Sequence, residues 1–112
     1  MASVSYGSKP TSNITLTGSK ASVNITSVSV GTTETTIVVP AGTVALKFKI
    51  PESGGACKLY LASTVTGSTA EATRYEISAG NEYIEEGMSG SSVTYYVSAS
   101  KNGQTLQIIY WS

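Results

Sequence analysis

Apolar and polar residues alternate with period two along most of this chain, in short runs separated by Gly, Pro, Ser and Asn, and no stretch carries the 3.6-residue period of an amphipathic helix. From Val44 to Ile50, the side chains of Val44, Leu46, Phe48 and Ile50 fall on one side and those of Ala45, Lys47 and Lys49 on the other, which predicts a strand with a core face and a wet face. Cys57, Leu59 and Leu61 resume the pattern after Ser53-Gly54-Gly55, and Pro51 argues against one uninterrupted strand, so the two segments are predicted to form a hairpin. Val93, Tyr95, Val97 and Ala99 make another inward row opposite Thr94, Tyr96 and Ser98. The Asn102-Gly103 pair suits a tight turn with positive φ, which predicts that Gln104 to Trp111 folds back on that row.

Ile37-Val38-Val39 is a continuous apolar run of the kind buried on both faces, and Tyr75 with Ile77 marks a shorter strand. Each is followed by a small-Ala-Gly corner, Pro40-Ala41-Gly42 and Ser78-Ala79-Gly80, which hints at two similarly built halves. The first third differs. Its sizeable apolar side chains are Ile14, Leu16, Val23, Ile25, Val28 and Val30, and the alternation changes phase between Ile25 and Val28, implying a bulge or a break. The predicted fold class is all-β: a single antiparallel β-sandwich or jelly-roll-like domain of about eight short strands. Residues 1–31 are expected as an N-terminal arm or edge hairpin and residues 32–112 as the β-sandwich domain.

Composition narrows the function. Seven Lys and Arg balance seven acidic residues, all of them Glu, so no net field exists to attract a nucleic acid or an anionic membrane, and neither is an expected partner. With no histidine and no aspartate, Ser-His-Asp, Cys-His and histidine-metal constellations are excluded, and no enzyme activity, metal or cofactor is expected. Cys57 is a lone cysteine in an inward row and reads as a small buried hydrophobe. Glu82, Glu85 and Glu86 form the densest acidic cluster but lack the ligand loop of a calcium site and read as a solvated strand. The start, Met-Ala-Ser-Val-Ser-Tyr, lacks the charged and apolar segments of a secretory signal, so synthesis as a soluble cytoplasmic product is expected. The Asn-Ile-Thr triplets at Asn13 and Asn24 then read as chance.

Two surfaces stand out. Lys47, Lys49, Lys58 and Tyr60 are predicted on the outer face of adjacent strands, either as a docking patch or as lysines guarding an edge. At the C-terminus, Leu106, Ile108 and Tyr110 face one side and Gln107, Ile109 and Trp111 the other, so apolar groups occupy both faces. Self-association is the expected cover, with Ile109, Tyr110 and Trp111 as candidate interface residues and packing beneath the N-terminal arm as the alternative. Seven tyrosines against one phenylalanine fit half-exposed interface positions or a thin sandwich with wet faces.

The order Ile37-Val38-Val39-Pro40-Ala41-Gly42, Leu46-Lys47-Phe48-Lys49-Ile50, Gly55-Ala56-Cys57-Lys58-Leu59-Tyr60-Leu61, Ser78-Ala79-Gly80-Asn81-Glu82, Val93-Thr94-Tyr95-Tyr96-Val97-Ser98 and Thr105-Leu106-Gln107-Ile108-Ile109-Tyr110-Trp111 resembles a small β-sandwich module of tailed-bacteriophage virions. The resemblance covers about residues 33 to 112 and supplies no catalytic residues. It implies a structural protein of the virion, made in the host cytoplasm, often a homotrimer with an N-terminal arm reaching a neighbour or the shell. At this size it implies a capsid decoration (cement) protein that binds the capsid protein on the outer surface and stabilises the shell, with Lys47, Lys49, Lys58 and Tyr60 as the candidate docking patch. The alternative is a receptor- or glycan-binding module of a fibre or tail, with Tyr60, Tyr83, Tyr95, Tyr96 and Trp111 as stacking platforms for sugar rings.

Overall fold

The structure, a computed structural model, describes residues 3–4, 16–17, 22–51 and 56–112 of the chain. The Ser53-Gly54-Gly55 turn, the triplet at Asn13 and most of the predicted arm lie outside the described residues. Strands β1 (Ser3–Val4) and β2 (Leu16–Thr17) pair antiparallel with each other. The remaining strands are β3 (Val23–Val30), β4 (Thr35–Val39), β5 (Ala45–Lys49), β6 (Lys58–Ala62), β7 (Tyr75–Ser78), β8 (Glu82–Glu86), β9 (Val93–Ala99) and β10 (Gln104–Trp111). They form two four-stranded antiparallel sheets in the orders β3-β10-β5-β8 and β4-β9-β6-β7. Two 3-10 turns, Gly67–Thr69 and Glu71–Thr73, lie between β6 and β7.

The pairings are nested. β6 pairs with β7, β5 with β8, β4 with β9 and β3 with β10, as in one long hairpin, and the β5–β10 and β6–β9 ladders then roll that hairpin into two layers. This is the strand order of a jelly roll, so of the two architectures left open by the sequence the rolled one is adopted.

Two predicted hairpins do not form. β5 and β6 belong to opposite sheets, as do β9 and β10. Alternation tells which side chains turn inward, but both sheets have an inward side, so a strand pair folded across the core has the same pattern as a hairpin. The turn residues still turn: Gly103 has φ +75°. Asn102 accepts hydrogen bonds at Oδ1 from the Thr32 amide (2.9 Å) and the Thr32 hydroxyl (3.1 Å), tying the β9–β10 corner to the β3–β4 corner. Gly31 eases this contact, because a Cβ would stand 3.2 Å from the Cα of Asn102 and closer still to its side-chain oxygen, which would have to shift. The two small-Ala-Gly corners both carry the chain from the second sheet to the first, and both turn on a glycine with positive φ, Gly42 at +95° and Gly80 at +90°.

Leu46, Phe48, Ile50, Leu106 and Ile108 from the first sheet meet Val39, Leu59, Leu61, Val97 and Ile77 from the second, and Cys57 is buried with them as expected. Phe48 is central, edge-on to Tyr95 at 5.2 Å between ring centroids. Three expectations from the sequence change. Val38 is 61% exposed, because β4 is an outer strand with one face on the core and the other uncovered. β3 has no bulge: its register with β10 runs unbroken from Val30 opposite Gln104 to Val23 opposite Trp111. Its phase change instead turns Val28 and Val30 inward and Val23 and Ile25 outward. β3 is therefore an edge strand of the first sheet, and the sandwich includes residues assigned by the sequence to the N-terminal segment. Ser98 and Ala45 face outward yet are buried.

Phe48→Ala is expected to lower unfolding free energy by about 3–5 kcal/mol in urea titration, whereas Val38→Ala should stay within about 0.5 kcal/mol. Similar midpoints for the two variants would contradict this placement of the core.

Candidate functional site

The two sheets differ in what covers their outer faces. On the second sheet, Ala62, Ser98, Tyr60 and Tyr96 point away from the core, and the β6–β7 connection folds back over them. The turn at Gly67–Thr69 sits against Ala62 so closely that a Cβ on Gly67 would stand 2.9 Å from the Ala62 methyl. The buried Ser98 hydroxyl donates to the carbonyl of Ser68 at 3.1 Å. Glu34, arriving from the β3–β4 corner, pins the turn: its carboxylate accepts the Thr66 amide at 2.6 Å, the Ser68 amide at 3.0 Å and the Ser68 hydroxyl. Thr66 has φ +63°, a left-handed conformation strained for a β-branched residue, and the Glu34 contact holds it. Beside the turn, the Arg74 guanidinium lies 3.8 Å from the Tyr60 ring centroid, and Glu76 bridges Arg74 (3.0 Å) and Lys58 (3.1 Å).

The first sheet has no such cover among the described residues. Its outward side chains fall in rows set by the register: Val23, Trp111, Ala45 and Glu86; Ile25, Ile109, Lys47 and Ile84; Ser27, Gln107, Lys49 and Glu82. The β3 and β10 half of this face carries no charge, with Val23 55% and Ile25 70% exposed and Ile109 and Trp111 half-buried. The β5 and β8 half is charged, and Lys47 meets Glu82 at 2.7 Å. An apolar strip bordered by an ion pair is the anatomy of a protein contact surface.

Of the predicted interface residues, Ile109 and Trp111 stand on this strip. Tyr110 does not: it faces the opposite way and packs against the core margin. The predicted lysine patch is not assembled either. Lys47 and Lys49 lie on the outer face of the first sheet, whereas Lys58 and Tyr60 lie on the outer face of the second, on opposite sides of the sandwich, because β5 and β6 part at the core. Nor do these lysines guard an edge in the first sheet, since β5 is an inner strand.

The proposed stacking residues are spread over three places: Tyr60 and Tyr96 outside the second sheet, Trp111 outside the first, and Tyr83 with Tyr95 at the mouth between the sheets. Tyr75 joins the last pair, its ring 6.3 Å from that of Tyr83 and the residue 63% exposed. These three tyrosines, with Arg74 and Thr73, line an open cleft of about 460 Å³. The Tyr83 hydroxyl donates to Glu85 at 2.6 Å, and burial, reinforced by that bond, pushes its pKa well above the usual phenol value, so it stays protonated at any physiological pH.

Val23 and Ile25 of the apolar strip were missed by sequence reasoning, although the phase change after Ile25 was their signal. Glu34 gave no signal, since a single carboxylate in a Thr-rich corner is unremarkable until the turn it holds is seen. Among the described residues, no three His, Cys, Asp or Glu side chains stand together as a metal site. No helix among them is long and apolar enough to cross a membrane.

No protein-family model matches the chain, and no curated protein matches it. It is similar to a solved structure of a de novo designed double-stranded β-helix, with 14% identity over 82% of this chain and 100% of that one and a TM-score of 0.45.

Partial burial pushes the Glu34 carboxyl up, but the Ser68 hydroxyl and the Thr66 and Ser68 amides outweigh it and hold it below the usual value; Lys58 and Arg74 lower Glu76 likewise. Both contributions are therefore present above the unfolded carboxylate pKa of about 4.3 and are lost as the pH falls through the lower folded values. Glu34→Gln should destabilise by about 1–2 kcal/mol at neutral pH and lose less stability in acid than the parent. Parallel curves of urea midpoint against pH would remove Glu34 from that role.

Proposed function

We propose that the protein is a structural component of a virus particle, a capsid decoration protein that docks on the capsid protein and stabilises the shell. The observation that carries this reading is the contrast, among the described residues, between a second sheet partly covered by the β6–β7 connection and a first sheet without such cover, whose uncharged half presents Val23, Ile25, Ile109 and Trp111. An isolated domain gains nothing by leaving such a strip uncovered, whereas a protein whose work is adhesion requires one. Trp111 is the natural anchor: its large ring stands beside Val23 and Ala45 in the end row of the face, and tryptophan is among the residues most enriched at interface hot spots. The resemblance to small virion sandwiches supports the capsid as the partner surface and the virion as the location. No catalysis is needed, since many copies of a modest contact hold a shell together by their number. The docking surface is the first-sheet face, replacing the divided lysine patch.

A second reading rests on the tyrosine mouth. Tyr75, Tyr83 and Tyr95 beside Arg74 present aromatic and hydrogen-bonding groups to an open cleft, the equipment for stacking a sugar ring in a glycan-binding module of a fibre or tail. Saturable binding on a glycan array, abolished in a folded Tyr75→Ala variant, would favour it.

Co-sedimentation of the purified chain with intact particles of its source tests the first reading. The wild type is expected to pellet with particles, and Trp111→Ala to weaken attachment roughly thirtyfold, a loss of about 2 kcal/mol, with far-UV circular dichroism unchanged. A wild-type chain that remains in the supernatant, or a folded Trp111→Ala that attaches undiminished, overturns docking through this face.

A further inference from the structure

The open face ends at β3, and β3 differs from the other three outer strands of the two sheets. β7 is four residues long, contains Glu76 and follows Arg74. β8 carries Glu82, Glu85 and Glu86, and β4 is five residues long between Glu34 and Pro40. Charge, shortness and proline are the devices that keep sheet edges from pairing with other chains. β3 has none of them: it is eight residues, VNITSVSV, uncharged, without a bulge, and paired in unbroken register to the equally uncharged β10.

Its backbone faces two ways. Ser22 and Ser112 exchange both main-chain hydrogen bonds, at 3.1 and 3.0 Å. Bonded and non-bonded pairs alternate along an antiparallel ladder, so Asn24, Thr26, Val28 and Val30 turn their N–H and C=O groups toward β10. Val23, Ile25, Ser27 and Ser29 turn theirs away from the sheet, and no strand among the described residues pairs with them. Water satisfies such groups but does not satisfy Val23 and Ile25, whose side chains are exposed at the same positions.

We propose that β3 pairs antiparallel with β3 of a second copy of this chain, about a twofold axis at Thr26. In that register Ile25 stands opposite Ser27, and Val23 opposite Ser29, of the other copy. Every outward-facing backbone group is then used, giving about eight hydrogen bonds, two for each bonded pair. The match is one of charge as well as of hydrogen bonding. A neutral edge calls for a neutral partner, and β3 is itself the unguarded neutral edge of these two sheets.

An isologous contact closes at two copies, so the assembly is a dimer, in place of the trimer implied by the resemblance to virion modules. Opposed residues of an antiparallel pair project to the same side, so the two apolar strips lie next to each other on one face of a continuous sheet. The pairing stands on β3 alone. Its use, a double footprint on a shell whose two halves bind at high effective concentration, rests on the capsid reading.

Light scattering of the full chain across a dilution series is expected to give twice the 11.6 kDa chain mass. Ser27→Pro removes an N–H that β10 does not use and should give a folded monomer. In a Cys57→Ala background, Thr26→Cys should form a symmetric disulfide on mild oxidation, because a non-bonded pair sets Cα atoms about 4.5 Å apart, within disulfide range. Thr36→Cys on β4 should form none. A wild type that stays monomeric at millimolar concentration, a trimer, or a dimer indifferent to Ser27→Pro overturns the proposal. So does a monomer whose Ile25 and Ser27 amides resist hydrogen exchange, since β3 would then be covered from within its own chain. A dimer that never pellets with particles supports the pairing and sinks the capsid reading; a wild-type monomer that pellets does the reverse.

Discussion

The ladders joining β5 to β10 and β6 to β9 are the interactions on which the rest of this molecule depends. The nested pairs around them could close as one flat ribbon with an apolar side open to water. These two long-range ladders fold the ribbon on itself and bring Phe48, Leu46 and Ile108 against Leu61, Val97 and Val39. Each joins segments far apart in the chain, so both carry a large loop-closure cost that is met only when the two inward faces meet. The corners that permit the roll are small and specialised: glycines at positive φ leaving the second sheet, and Gly31 admitting Asn102.

Rolling leaves two outer faces, and the chain treats them differently. On the second sheet, Glu34 pins the β6–β7 connection over Ala62 and Ser98, using backbone amides as well as a hydroxyl. A single carboxylate thereby holds the cover over this part of the face, with Gly67 allowing the approach. The first sheet receives no comparable cover among the described residues, and its uncharged half coincides with an edge strand lacking the charges or proline found at the others. An exposed face and an unguarded edge meeting along β3 are hard to explain as features of an isolated domain. Both are accounted for by the proposed docking and pairing.

The low charge content has a structural side too. Ser and Thr fill the wet faces of strands, where they suit the pleat and cost little in desolvation. The ion pairs among the described residues are clustered: Lys47 with Glu82 on the first sheet, and Glu76 between Lys58 and Arg74 on the second. The tyrosines serve the core margin as much as the surface. Tyr83, Tyr95 and Tyr110 bury their rings against Phe48 and its neighbours while Tyr75 stays at the open mouth.

The sequence by itself determined the strands, their inward rows, the buried place of Cys57 and the corners that need glycine, because alternation, turn chemistry and side-chain volume act over a few residues. Even the phase change between Ile25 and Val28 was legible, though its cause was an outward-facing pair rather than a bulge. Only the tertiary structure decided which sheet each strand joined. Period-two alternation is the same whether successive strands form a hairpin or face each other across the core, so nothing local distinguishes the two. That one ambiguity separated Lys47 and Lys49 from Lys58 and Tyr60. It also set Val23 beside Trp111, and Glu34 against Ser68, by pairings that no local pattern encodes.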